Sequence, residues 1–137
     1  MANVLKVASG DACDLVIGSR IHGNSEKGAL TPAQRFGNRL ACTLIRGLYG
    51  VRFNDLGPLR AIRWATLKQL KMADENFGWT VEMQVKIAKH DLPFREVPVR
   101  ARCRRGGKSK ISGTIKGSVM AGTIILKTIF RQVYIRD

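Results

Sequence analysis

The sequence predicts an α/β domain: a few-stranded mixed sheet flanked by helices, ending in one long amphipathic helix. Three observations carry that expectation. The run Leu15-Val16-Ile17, closed by Gly18-Ser19, is short, continuous and apolar, as in a strand buried on both faces of a parallel sheet. Thr31-Pro32 then opens a helix, with a hydroxyl at the N-cap and proline in the first turn. A second extended run, "LPFREVPVRAR", follows later, and its two prolines suit an edge or end position.

The elements follow in order. "NVLKVAS" reads as the tail of a helix stopped by Gly10, and residues 21–31 read as an exposed loop. The helix opened at Pro32 carries Phe36, Leu40, Leu44 and Leu48 at helical spacing, with Arg35, Arg39 and Arg46 charged and Gly50 as its stop. "VRFNDLGPLRAIRW" is irregular: Asp55, Gly57 and Pro58 form a turn between two short extended pieces. "WATLKQLKM" reads as a helix and "ADENFG" as a turn. Over residues 79–90 two patterns compete. Trp79, Val81, Met83, Val85 and Ile87 alternate like a strand, while Val81, Val85, Ala88 and the Glu82-Lys86 pair suit a helix. The final segment, "TIKGSVMAGTIILKTIFRQVYI", reads as one helix with Lys116, Thr123, Lys127 and Arg131 on one stripe. Those charges make it poor as a membrane span, which needs ~20 mostly apolar residues, and better as a helix lying in an interface or against another helix.

A chain of 137 residues has room for one domain with a modest core. Lysines and arginines number 24 against 10 aspartates and glutamates, a formal net charge of +14. Such an excess works against compactness and points to an anionic partner: nucleic acid, an anionic membrane surface or a phosphorylated ligand. The cysteines, at 13, 42 and 103, are odd in number and form no CxxC, and only His22 and His90 accompany them. This pattern argues against zinc and for buried, reduced thiols. The first residues lack the basic and long apolar regions of a secretory signal.

The stretch "CRRGGKSKISG", Cys103 to Gly113, concentrates the chemistry. Its plain reading is a solvated charged loop. Its functional reading is an anion-binding loop, with arginine forks, lysine charges and serine hydroxyls on a backbone that glycine lets approach closely. It lacks the P-loop pattern, and a single Arg-Gly-Gly copy points only weakly to RNA. Asp55 is either a turn former or a carboxylate set beside Arg60 at the mouth of the sheet. Arg20 stands just past the first strand, as a surface ion-pair partner or a phosphate contact. His22 and His90 show no Ser or Cys partner arranged for nucleophilic work.

Taken together, "DLVIGSR", "GALTPAQRFGNRLA", "NDLGPLRAI", "FGWTVEMQVKIAKHDLPFREVPV" and "RRGGKSKISGT" resemble the second half of the family-2 inverting glycosyltransferases. The branch resembled includes the dolichyl- and polyprenyl-phosphate mannosyl- and glucosyltransferases, and the match runs from about residue 3 to residue 131. The resemblance implies the C-terminal half of a GT-A sandwich, with an acceptor-side domain at 1–113 and a membrane-interfacial helix at 114–137. It also implies a helix at 79–90. The implied activity moves a sugar from a nucleotide-sugar to a polyprenyl phosphate at the cytoplasmic, inner face of a membrane. Asp55 and Arg60 match the catalytic site loop, Arg20 and Arg35 the arginines facing the acceptor phosphate, and Arg105, Ser109 and Lys110 a segment closing over phosphates. The complete family enzyme would use Mg2+ or Mn2+ through a DxD motif in its first half. No DxD occurs here, so the chain is expected to be a fragment, or a subunit completed by a partner or by another copy of itself, with an exposed edge on the strand at 14–19. Two other classes stay open: a basic nucleic-acid-binding module using residues 99–116, and a membrane-surface protein without catalysis.

Overall fold

A computed structural model of the chain describes residues 2–8, 10, 13–23, 25–76, 78–103, 106 and 115–134. The elements are α1 (Ala2–Ala8), β1 (Leu15–Ser19), α2 (Pro32–Tyr49), β2 (Arg60–Ile62), α3 (Trp64–Leu70), α4 (Trp79–Lys89), β3 (Phe94–Pro98) and α5 (Ile115–Tyr134). The fold is α/β, with a three-stranded mixed sheet in the order β2-β1-β3. β1 runs antiparallel to β2, with Val16 opposite Ala61, and parallel to β3, with Ile17 opposite Glu96.

The continuous apolar run of β1 is buried on both faces, as expected. Leu15 and Ile17 enter the main core with Ile45, Leu70, Val81, Met83, Val85, Ile87 and Ile129. Val16 faces the other way, against Val4 and Cys13. One expectation fails: β1 is the central strand with both sides paired, and the outer strands of the sheet are β2 and β3. The antiparallel return of Arg60–Ile62 onto β1, after α2, supplies the neighbour that a short, irregular sequence did not announce. β3, with its prolines, is an edge strand of this sheet as expected.

Helix α2 starts where the sequence places it. Thr31 and Gln34 form a reciprocal capping box, and Gly50, at φ 72°, closes the helix with its N–H donating to Arg46 O. α4 resolves the competing patterns in favour of a helix, and the reason is burial. Every residue from Val81 to Ala88 is buried, so polar positions cannot mark a wet face. Instead the two charged ones are satisfied within the chain, while Gln84 donates through Nε2 to Asp55 O and leaves its buried Oε1 without a partner. Glu82 accepts from the N–H groups of Ala73 and Asp74, and Lys86 Nζ donates to the carbonyls of Leu70 and Lys71 and meets Glu82 at 3.0 Å. Burial disfavours the Glu82 carboxylate. The Asp74 N–H, Lys86 and the Ala73 N–H outweigh it, and the pKa is lowered from its ordinary 4.5.

α5 packs against α2 and α4, placing Ile129 in the main core and receiving a 2.7 Å hydrogen bond from Tyr49 Oη to Ile129 O. Its outer face exposes Lys116, Val119, Met120, Lys127, Phe130, Arg131, Val133 and Tyr134. Among the described residues, no helix is long and apolar enough to cross a membrane. Cys13 and Cys42 are buried free thiols. Cys103 is exposed, contrary to expectation, because it lies on the surface segment after β3, where its N–H donates to Glu26.

Candidate functional site

Beyond the C-terminal end of β1, the chain and the loop after α2 come together. Gly57 packs against the carbonyl of Gly18 so closely that any Cβ there would collide with it. The Gly-Pro turn therefore does more than reverse the chain: it lets the 54–57 loop sit directly on the strand end. That loop is held by side chains from three elements. Asn38 of α2 donates to Asn54 O and accepts from the Leu56 N–H at 2.7 Å. Glu96 of β3 accepts from the backbone N–H groups of Asn54 and Asp55 and from the Asn54 amide. Gln84 of α4 donates to Asp55 O at 3.0 Å. Each of these polar backbone groups has a partner, as buried backbone requires.

The product of this scaffold is one fixed carboxylate. Asp55 is fully buried and accepts three hydrogen bonds from Arg20: from its backbone N–H at 2.6 Å, from Nε at 3.0 Å and from Nη2 at 2.7 Å. This fork-to-carboxylate geometry fixes the guanidinium plane. Arg20 in turn lines a cleft of about 610 Å³ with Arg35, Arg39, Arg46 and Arg52, together with Asn38, Cys42, Phe53 and Asn54. Among the described residues, no aspartate or glutamate lines that cleft. Among the described residues, no carboxylate forms an ion pair with Arg35, Arg39, Arg46 or Arg52.

Sequence reasoning and geometry agree in part. Arg20 and Arg35 share the cleft, and Asp55 lies directly behind it. The carboxylate's partner is Arg20, whereas the sequence set Asp55 beside Arg60. Arg60 is turned to backbone instead, donating to Gly57 O at 2.7 Å and to Thr80 O at 2.8 Å. Burial lowers its pKa to about 10, with Asp55 opposing and Arg20 adding to the shift, so it stays cationic at neutral pH. Arg105, Ser109 and Lys110 lie outside the described residues. The described chain up to that stretch ends at Cys103, whose N–H donates to Glu26 and whose Sγ lies 3.2 Å from Lys27 O. The same loop contributes Gly23 and Ser25 to the cleft.

Three cleft arginines, Arg39, Arg46 and Arg52, were not singled out from sequence. The signal for two of them was present: Arg35, Arg39 and Arg46 fall within about 40° of one another at 100° per residue. Asn38, Gln84 and Glu96 were also missed, since nothing local marks a side chain that bonds a distant loop. Ser19 and His22 do meet, at 3.2 Å, where no partner was expected. Ser19 is fully buried and accepts from the His22 backbone N–H, so the contact shapes a local turn.

Cys42 touches the cleft, but burial pushes its thiol up to about 12, with Asp55 and Glu96 adding and Arg20 opposing. It stays protonated and is no nucleophile at neutral pH. A divalent cation does not fit the described residues. Asp55 is engaged by Arg20 and Glu96 by the 54–55 backbone, and no group of three His, Cys, Asp or Glu side chains converges.

The chain is similar to proteins named as glycosyltransferases. It is 31% identical over 87 residues to an uncharacterized glycosyltransferase of Mycobacterium tuberculosis and, to the same extent, to one of Mycobacterium bovis. Those alignments cover 64% of this chain and 40% of each relative. It is 29% identical over 120 residues to the glycosyltransferase AglJ of Haloferax volcanii, covering 87% of this chain and 38% of AglJ. The chain thus spans about two-fifths of the length of the curated relatives it matches. No family model matches it, and no solved structure does.

Proposed function

We propose that this chain is the acceptor-side portion of an inverting glycosyltransferase of the GT-A kind, acting on a nucleotide-sugar and a polyprenyl phosphate at the cytoplasmic face of a membrane. The observation that carries the reading is the arginine cleft, with Arg20 locked by the buried Asp55 and Arg35 beside it. The likeness to glycosyltransferases supports transfer of a sugar, and the cleft supports a phosphate-bearing acceptor.

In this reading Arg20 and Arg35 hold the acceptor phosphate. One phosphate oxygen attacks the anomeric carbon of the donor, the bond to the diphosphate breaks, and the configuration inverts in a single in-line step. The acceptor is already an anion, so no strong general base is needed. Asp55 acts through Arg20, fixing the guanidinium so that the phosphate meets an oriented fork and not a mobile charge. Arg60 ties the 57 carbonyl to α4 and holds the loop in register. Arg105, Ser109 and Lys110 of the glycine-rich stretch would be further phosphate-binding residues. The rest of the enzyme supplies the nucleotide site and the Mg2+ or Mn2+ ion, which offsets diphosphate charge when bound. The basic and apolar outer face of α5 rests on the bilayer surface.

The test is transfer from labelled nucleotide-sugars to polyprenyl phosphate by the chain together with the missing portion of the enzyme. Expected is a product lipid whose formation falls at least ~100-fold in Arg20→Ala, the scale of losing one preorganised charge contact. Activity undiminished in Arg20→Ala would refute the reading.

A further inference from the structure

The cleft holds more positive charge than one acceptor phosphate can use. A phosphate monoester carries about −1.5 to −2 at neutral pH. Arg20 is already matched by Asp55, so Arg35 and one neighbour would satisfy a single phosphate. Two further guanidiniums then remain in a pocket that no carboxylate lines among the described residues. Their positions are also extended. The rise of an α-helix sets Arg46 about 16 Å along α2 from Arg35, and Arg39 about 6 Å along. Arg52 follows directly after the helix and lines the same cleft. The volume, about 610 Å³, suits a ligand well beyond one phosphate group. Helix stability does not account for the placement either. The first turn of α2 has no acidic residue, and Arg35 stands close to its N-terminus, where the macrodipole disfavours a cation.

We infer that Arg46 and Arg52, with Arg39 between the two ends, form a second anion subsite for a further phosphate group, distinct from the acceptor phosphate at Arg20 and Arg35. This rests on the acceptor reading only for what occupies the first subsite. The second phosphate belongs either to the soluble or lipid-linked ligand itself or to a neighbouring anionic lipid headgroup.

Calorimetry with the full chain separates these cases, using orthophosphate and tripolyphosphate at matched ionic strength and vesicles containing phosphatidylglycerol. Expected is at least tenfold tighter binding of tripolyphosphate than of orthophosphate. In Arg46→Gln/Arg52→Gln that advantage falls at least tenfold while orthophosphate affinity changes less than twofold. Both side chains are exposed, so the fold should tolerate the change. Lys68→Gln/Arg95→Gln removes the same charge from exposed positions outside the cleft and should leave both affinities within twofold. If the cleft variant loses vesicle binding while its tripolyphosphate affinity holds, the subsite stands and its phosphate is a lipid headgroup. If the cleft and control variants behave alike in both arms, only bulk charge is at work and the inference is overturned. If Arg35→Gln leaves orthophosphate binding intact while the Arg46→Gln/Arg52→Gln effect persists, the acceptor reading fails and the distal site stands.

Discussion

Glu82 and Lys86 on α4 have side chains only 1% and 6% exposed and meet at 3.0 Å, each also bonded to backbone groups. Arg39 and Arg46 on α2 are exposed, line a cleft, and face no carboxylate among the described residues. One helix spends its buried charges on the fold, and Glu82 and Lys86 are both answered within the chain. The other holds its charges at the rim of a cavity, where no described carboxylate pairs with them. Between the two lies Arg20, whose guanidinium lines the cleft but is oriented from behind by the buried Asp55. The difference teaches where a ligand belongs: unanswered charge gathered around a concavity is the part of the molecule that folding does not explain.

The sharpest way to break this contrast is at α4. Glu82→Leu leaves Lys86 buried beside unpaired backbone N–H groups and should lower stability by ~3–5 kcal/mol in urea unfolding, the scale for stranding one member of a buried pair. Asp55→Ala should fall next. It frees a partly exposed Arg20, so a loss of ~1–3 kcal/mol is expected, together with weaker phosphate binding. Asp55→Asn, which keeps the shape, should retain more stability than affinity. Arg39→Gln and Arg46→Gln should change stability by no more than ~0.5 kcal/mol, since they answer to nothing inside the fold. A large loss in either would mean the arginines are structural and would erase the comparison.

Two titrations sharpen it further. The folded pKa of Glu82 lies below its unfolded value, so its contribution is fully present above the ordinary 4.5 and is lost as pH falls through the lower folded value. Glu82→Gln should therefore flatten the acid limb of stability against pH in that window. An unchanged acid limb would remove Glu82 from the account of α4. The smallest effect concerns the thiols. With Cys42 raised to about 12 and Cys13 buried, a thiol reagent at pH 8 should label the exposed Cys103 first. Equal labelling of Cys42 would show that the cleft floor is open.

Much of the fold was legible because it is written locally. The apolar run of β1, the Thr31-Pro32 cap and the Gly50 stop each act over a few residues, and each appears in the structure where the sequence puts it. α4 was ambiguous because periodicity assumes one wet face, and this helix has none over residues 81–88. The central position of β1 was missed because β2 is only three residues long and pairs by return of the chain. In the site, residue identity carried further than partnership. Arg20, Arg35 and Asp55 could be picked out, but that Asp55 grips Arg20 while Arg60 grips the Gly57 carbonyl depends on a loop fixed by Asn38, Gln84 and Glu96 from separate elements. No spacing rule reads such long-range bonds.

The most direct measurement is a crystal structure of the chain bound to a short-chain polyprenyl phosphate. Expected is the phosphate in the α2 cleft, within hydrogen-bond distance of both Arg20 and Arg35, with the Arg20–Asp55 fork intact. A phosphate bound away from those arginines, or an Arg20 released from Asp55 with no contact to the ligand, would contradict the central claim.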